Sequence, residues 1–159
     1  MLLKRFIKKD PIAFYGYIKG DVVDLCDVND PVFSQKMMGE GVAIQPCDGS
    51  VYAPCDAEVV FVAPTSHAIG MKTKEGIEFL LHLGLDTVHV KEGNITVLCK
   101  VGDVVAVHQK IAQISEELLN GNEYDMISIL VFTNISDHHI QHQATGFIDP
   151  QQLLLELEK

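Results

Sequence analysis

Apolar and polar positions alternate in short runs along most of this chain, and the runs are rich in β-branched residues. Asp21–Leu25, Glu58–Val62, Asp103–Val107 and Ile127–Phe132 each have the makeup of a β-strand. Turn signals separate them: Asp48-Gly49, Glu75-Gly76, Glu92-Gly93-Asn94 and Asn120-Gly121-Asn122. Many short strands at close spacing predict an all-β fold, an antiparallel sandwich or barrel. Helical signal is confined to three stretches, 30–38, 115–119 and 134–140. Each starts near a capping residue and suffices for a turn or two. There is also a faint internal echo. Gly16–Leu25 and Ala53–Val62 both run from a turn into an apolar strand that ends near a polar loop, which predicts a duplicated β-unit.

The most regular alternation is on one segment. Ile77, Phe79, Leu81 and Leu83 alternate with Glu78, Leu80, His82 and Gly84. The first set reads as a core face, so His82 points to an outer or cleft-facing surface. Gly84 shares that surface and leaves room for a ligand or another backbone to approach. The residues before Thr73-Lys74-Glu75-Gly76 read as the other arm of a hairpin, with Gly76 available for left-handed backbone. A turn centred between Lys74 and Glu75 sets His67 directly opposite His82, roughly 5 Å apart at Cβ. A three-residue turn shifts the register by one position and calls for a bulge to keep the pair together.

Three readings fit such a pair. A neutral imidazole nitrogen is a good nucleophile near neutral pH, and a second imidazole can donate a hydrogen bond to phosphoryl oxygens; together they suit phosphoryl transfer. Thr65, two residues before His67, would supply a hydroxyl, and Ile69, Leu80 and Val88 would surround the pair with apolar surface. Alternatively, two histidines across a hairpin are half of a tetrahedral zinc site, with the remaining ligands to come from elsewhere. The third reading is two ordinary hairpin histidines.

Composition narrows the field. With 159 residues, 47% of them hydrophobic, the chain suits one domain with a substantial core, expected over residues 10–159. Residues 1–9 form a basic, apolar tail, either frayed or docked on an anionic membrane surface. Lys and Arg number 12 against 22 Asp and Glu, a formal net charge of -10. That excludes nucleic-acid binding, which needs clustered cations, and suits basic partners. Cys26, Cys47, Cys55 and Cys99 lack CxxC spacing and read as reduced thiols. No apolar run approaches the ~20 residues of a spanning helix, and no secretory signal pattern opens the sequence; the expectation is a cytoplasmic protein.

Four blocks then carry a resemblance. Asp30–Pro46, Tyr52-Ala53-Pro54, Thr65-Ser66-His67-Ala68 and His82-Leu83-Gly84-Leu85-Asp86-Thr87-Val88 occur in an order similar to the glucose-family IIA proteins of the bacterial sugar phosphotransferase system. The likeness runs from about Gly16 to Lys159. It implies a β-sandwich with a shallow apolar face around two histidines. It implies that His82 accepts a phosphoryl group at Nε2 from the histidine phosphocarrier HPr and passes it to a cysteine on the IIB domain of a sugar permease, through which the protein makes peripheral contact with the membrane. His67 matches the histidine needed for onward transfer, and Thr65 the threonine bonded to it. Asp86 and Gly84 adjoin the site. Phe33, Met37, Met38, Ile69, Leu80 and Val88 match the apolar docking ring. No cofactor is implied; zinc would bind His67 and His82 only with a partner-supplied ligand. Regulatory protein targets are compatible with the same face, and the sugar is not encoded in the chain.

The chain departs from the family pattern at Gly16 and Tyr17, at Ala57, and where Ala63, Ile69 and Leu80 replace docking phenylalanines. The rival class is a lysostaphin-type zinc hydrolase of related β-architecture. It needs an H-x-H pair, whereas His82 is followed by Leu83 and Gly84. The run Asp137–His142 lies outside the resemblance. On a helix, His138 and His142 would share a face and bind metal; His138, His139 and His142 otherwise read as a solvated turn. His89 and His108 take no role.

Overall fold

The computed structural model describes residues 9–159, so most of the basic tail lies outside the described residues. The alternating runs become strands, in chain order β1 (Ile12–Tyr15), β2 (Gly20–Asp24), β3 (Gly41–Pro46), β4 (Ser50–Tyr52), β5 (Ala57–Val62), β6 (Ala68–Lys72), β7 (Glu78–Leu83), β8 (Ile95–Val97), β9 (Val104–Val105), β10 (Lys110–Ile114), β11 (Ser128–Phe132), β12 (His139–Gln141), β13 (Phe147–Ile148) and β14 (Leu153–Glu158). Two short helices interrupt them, α1 (Pro31–Ser34) and α2 (Glu116–Asn120). Asp30 caps α1 by accepting the Val32 amide, and Ser115 caps α2 by accepting the Leu118 amide.

All pairings are antiparallel. One eight-stranded sheet has the order β13-β2-β3-β11-β7-β6-β5-β9, and two three-stranded sheets, β1-β14-β12 and β4-β10-β8, pack over its inner face. Alternation decides which residues go between them. Val42 and Ile44, Ile69 and Met71, Phe79, Leu81 and Leu83, and Leu130 and Phe132 from the large sheet meet Phe14, Val51, Ile111, Ile114, Leu155 and Leu157 from the small ones. Each such aliphatic or aromatic side chain contributes about 1.5–3 kcal/mol when fully buried. The Phe14 ring lies edge-on to Phe79 and Phe132, with centroids 5.4 and 4.9 Å away, tying β1 to the centre of the large sheet. A second, smaller core lies on the outer face. There Leu25, Val28 and Phe33, from the segment between β2 and β3, cover Ala43, Ile129 and Val131.

The internal echo is a structural duplication. The Tyr15 amide bonds the Pro54 carbonyl and the Tyr52 amide bonds the Tyr17 carbonyl, reciprocal contacts between the two copies. Gln152 and Gln109 repeat each other's bonds: each amide donates to a carbonyl three residues back, and each side chain accepts from that same residue's amide. The strand order of the large sheet reads the same from both ends under exchange of β13 with β9, β2 with β5, β3 with β6 and β11 with β7. Following the registers inward, Val22 corresponds to Val59, Ile44 to Met71 and Ser128 to Phe79, which makes Val131 the counterpart of His82.

Two expectations change. The β6–β7 turn has three loop residues, Lys74, Glu75 and Gly76 (φ +91°), closed by the Thr73 amide on the Ile77 carbonyl. The register therefore pairs Ala68, not His67, with His82. Residues 134–140 form no helix: a turn leads into β12, which pairs with β14. His138 and His142 flank that extended strand, and a span of four residues at about 3.3 Å each separates them too far for one helix-type metal site.

Candidate functional site

His82 leaves β7 on the outer face of the large sheet, between Ala68 of β6 and Ile129 of β11. The Phe33 ring, carried by α1 into the outer core, lies 5.0 Å from the His82 ring and walls one side. His67 sits just before β6, in a turn closed by the Ser66 amide on the Ala63 carbonyl, with Ser66 in left-handed backbone (φ +64°). The carbonyl of His67 accepts the Leu83 amide at 2.7 Å, and its ring reaches to 5.1 Å from the His82 ring, nearly perpendicular to it. The turn thus restores the pairing that the register denies.

Each imidazole is anchored through Nδ1. His82 Nδ1 lies 2.7 Å from the Gly84 carbonyl oxygen. A carbonyl only accepts, so Nδ1 carries the proton and Nε2 keeps an unshared pair. His67 Nδ1 is 2.5 Å from Thr65 Oγ1, a group that can donate or accept. Burial lowers the His82 pKa; the Gly84 carbonyl opposes that, the neighbouring His67 adds to it, and the Asp30 and Asp86 carboxylates oppose it. Burial lowers that of His67 too. Both shifts favour the neutral ring, and His82 presents a nucleophilic Nε2 beside a second imidazole.

Gly84 serves a different purpose from the expected one. It is buried, its φ is +81°, and an added Cβ would stand 2.6 Å from Thr87 Cγ2 and 2.9 Å from Met126 Sδ. It makes the turn and supplies the carbonyl; it opens no space for a ligand. Asp86 is exposed, and its carboxylate acts on His82. Of the docking residues, Met37 and Val88 are exposed, Met38 and Leu80 are half-buried, and Phe33 is buried against His82. Ile69 is 0% exposed and belongs to the inner core, because it shares its face with Met71. It cannot touch a partner.

Asp30 acts electrostatically on His82, and two exposed apolar residues, Val32 and Phe61, carry no clear sequence signal. Asp30 also caps α1. Val32, exposed on α1, was hidden in a helical stretch. Phe61 is 47% exposed because β5 carries a bulge between Val59 and Phe61. The bulge turns Phe61 out, over Gly70 and beside Leu80. The only hint is that Val59-Val60-Phe61-Val62 has no polar residue with which to alternate.

A β-sandwich holding two neutral, oriented histidines at the edge of an apolar face has the makings of a phosphoryl carrier. Residues 12–138 match the family described as the phosphoenolpyruvate-dependent sugar phosphotransferase system, EIIA 1. The glucose-specific EIIA component of Staphylococcus aureus is 43% identical over 128 residues, 80% of this chain and 76% of that protein. The glucoside-specific EIICBA component of Staphylococcus carnosus is 38% identical over 143 residues, 90% of this chain; the chain spans only 21% of that longer protein. The solved glucose permease IIA from Mycoplasma capricolum superposes with a TM-score of 0.87 at 26% identity, covering 95% of this chain and 97% of that one. The chain belongs to the EIIA 1 family and is a phosphotransferase component that works through a phosphohistidine. The zinc hydrolase alternative finds no support in these matches. Among the described residues no helix is long and apolar enough to cross a membrane.

Proposed function

We propose that His82 is the phosphoryl acceptor and His67 its assistant, within a single functional unit over residues 10–159. The observation that carries this is the bond from His82 Nδ1 to the Gly84 carbonyl. It leaves Nε2 as the nucleophile, and attack on phosphorus makes the ring cationic with its remaining proton already held by a carbonyl. In the proposed step the Nε2 lone pair forms a P–N bond as the P–N bond to the imidazole of phospho-HPr breaks. In the next, a cysteine thiolate of a IIB domain takes the phosphoryl group, and the pair returns to Nε2. Phosphoryl transfer of this kind is mainly positioning and charge stabilisation. Thr65, donating to His67 Nδ1, would leave the proton on His67 Nε2, available to a phosphoryl oxygen.

Phe33, Met37, Met38, Leu80 and Val88, with Val32 and Phe61 added, form the docking face, and Asp30 and Asp86 meet cations of the partner. The fused IIA–IIB arrangement in the name of the Staphylococcus carnosus relative supports the IIB acceptor. The unit works in the cytoplasm and reaches the membrane through its permease. Phosphorylation adds up to about two negative charges at this face, enough to change which regulatory proteins bind it. If zinc binds, the two Nε2 atoms are its ligands here and a partner completes the site.

Phosphoenolpyruvate, enzyme I and HPr test the reading. Wild type should gain an acid-labile phosphoryl adduct and His82→Ala none; uptake by His82→Ala sinks the assignment. His67→Ala should accept the group but pass it on poorly, and unimpaired onward transfer would remove His67 from the mechanism.

A further inference from the structure

Thr87 is fully buried, one of few polar side chains so placed among the described residues. A buried hydroxyl is costly unless it is bonded. Its hydroxyl donates to the Leu83 carbonyl at 2.7 Å, four residues back and immediately after His82. Its methyl group closes on Gly84, where a Cβ would stand 2.6 Å away. Between them the backbone visits the left-handed region twice, at Gly84 (φ +81°) and Asp86 (φ +57°). The Leu85 amide is tied to the Asp125 carbonyl at 2.8 Å, and the Val90 amide to the Thr87 carbonyl at 3.1 Å. What this clamped turn presents outward is the Gly84 carbonyl, 2.7 Å from His82 Nδ1.

We infer that Thr87 is a positioning residue: by gripping Leu83 and abutting Gly84, it aims the carbonyl that keeps the proton on His82 Nδ1 and the lone pair on Nε2. Thr87 touches neither phosphorus nor partner. The inference rests on His82 as acceptor. The peptide that carries the Gly84 carbonyl is anchored on one side by the Leu85 amide on the Asp125 carbonyl, and the Thr87 hydroxyl anchors the Leu83 peptide that precedes it; a methyl of the same size fills the space but removes the second anchor.

The test compares variants that differ only in the hydroxyl: wild type with Thr87→Val, and Thr87→Ser with Thr87→Ala. The tautomer of His82 is read from its ring nitrogens by 15N NMR, and phosphoryl uptake from phospho-HPr is timed. Wild type and Thr87→Ser should hold one tautomer, protonated at Nδ1. Thr87→Val and Thr87→Ala should show mixed protonation and uptake slowed by about tenfold or more, the scale expected when a reacting atom is misplaced. If Thr87→Val fails to fold, the Ser and Ala pair decides alone. An unchanged tautomer in both hydroxyl-free variants overturns the inference, even if uptake falls, because the loss is then merely structural. His82→Ala separates the two claims. Uptake by that variant defeats the acceptor assignment, while the tautomer comparison still judges Thr87.

Discussion

His67 and His82 are chemically identical side chains 5.1 Å apart, and their Nδ1 partners make them different. The Gly84 carbonyl admits one tautomer of His82, whereas the Thr65 hydroxyl can serve either tautomer of His67. Burial dominates the pKa of both and pushes it down. The sign follows directly. A histidine held neutral in the fold binds fewer protons than in the unfolded chain, so stability is lost as pH falls through the unfolded value of about 6.5. We expect the His82 ring to titrate by NMR with a midpoint below about 6.5, and the urea midpoint to drop over that pH range; a midpoint above that value would contradict the burial argument. At this scale the sequence pointed to the two histidines that the structure brings together. It could not show which carbonyl faced which nitrogen, because that depends on a left-handed turn at Gly84 and on contacts made four residues later.

At the scale of elements, the strand faces were legible wherever period-two alternation was clean, as on β7, whose core residues all go inward. The rest depended on features that counting does not reveal. Gly76 accommodates a three-residue loop, so the β6–β7 register moves by one; the turn at Ser66 then brings His67 back to His82. Ile69 shares parity with Met71 and goes to the core, although an apolar residue beside a histidine had suggested a docking role. This correction has a measurable consequence. Ile69→Ala should cost about 2–5 kcal/mol of stability, as a cavity in a packed core does. Met37→Ala, at a residue 69% exposed, should change stability by no more than about 0.5 kcal/mol while weakening transfer between partners. Denaturant melts and transfer kinetics on the two variants distinguish the roles, and equal melts would refute the placement. Residues 134–140 misled because Asn134 and Ser136 resemble caps, whereas the partner strand β14 determines the conformation of β12.

At the scale of the molecule, a formal charge of -10 and carboxylates at Asp30 and Asp86 beside His82 favour a cationic partner face. Raising ionic strength from about 0.01 M to 0.15 M shortens the Debye length from about 30 Å to about 8 Å. The second-order rate of phosphoryl uptake should fall accordingly, and a salt-independent rate would argue that apolar contact alone guides docking. The duplicated architecture bears on something else, the stoichiometry of cargo. Two related halves offer two related positions on the outer face, but only one holds an imidazole. At the other, Val131 is sealed beneath Leu25, Val28 and Phe33. The long segment that seals it also furnishes the wall against His82. With His82 as the proposed acceptor, the counterpart position offers only a covered valine, so each carrier should travel with a single phosphoryl passenger.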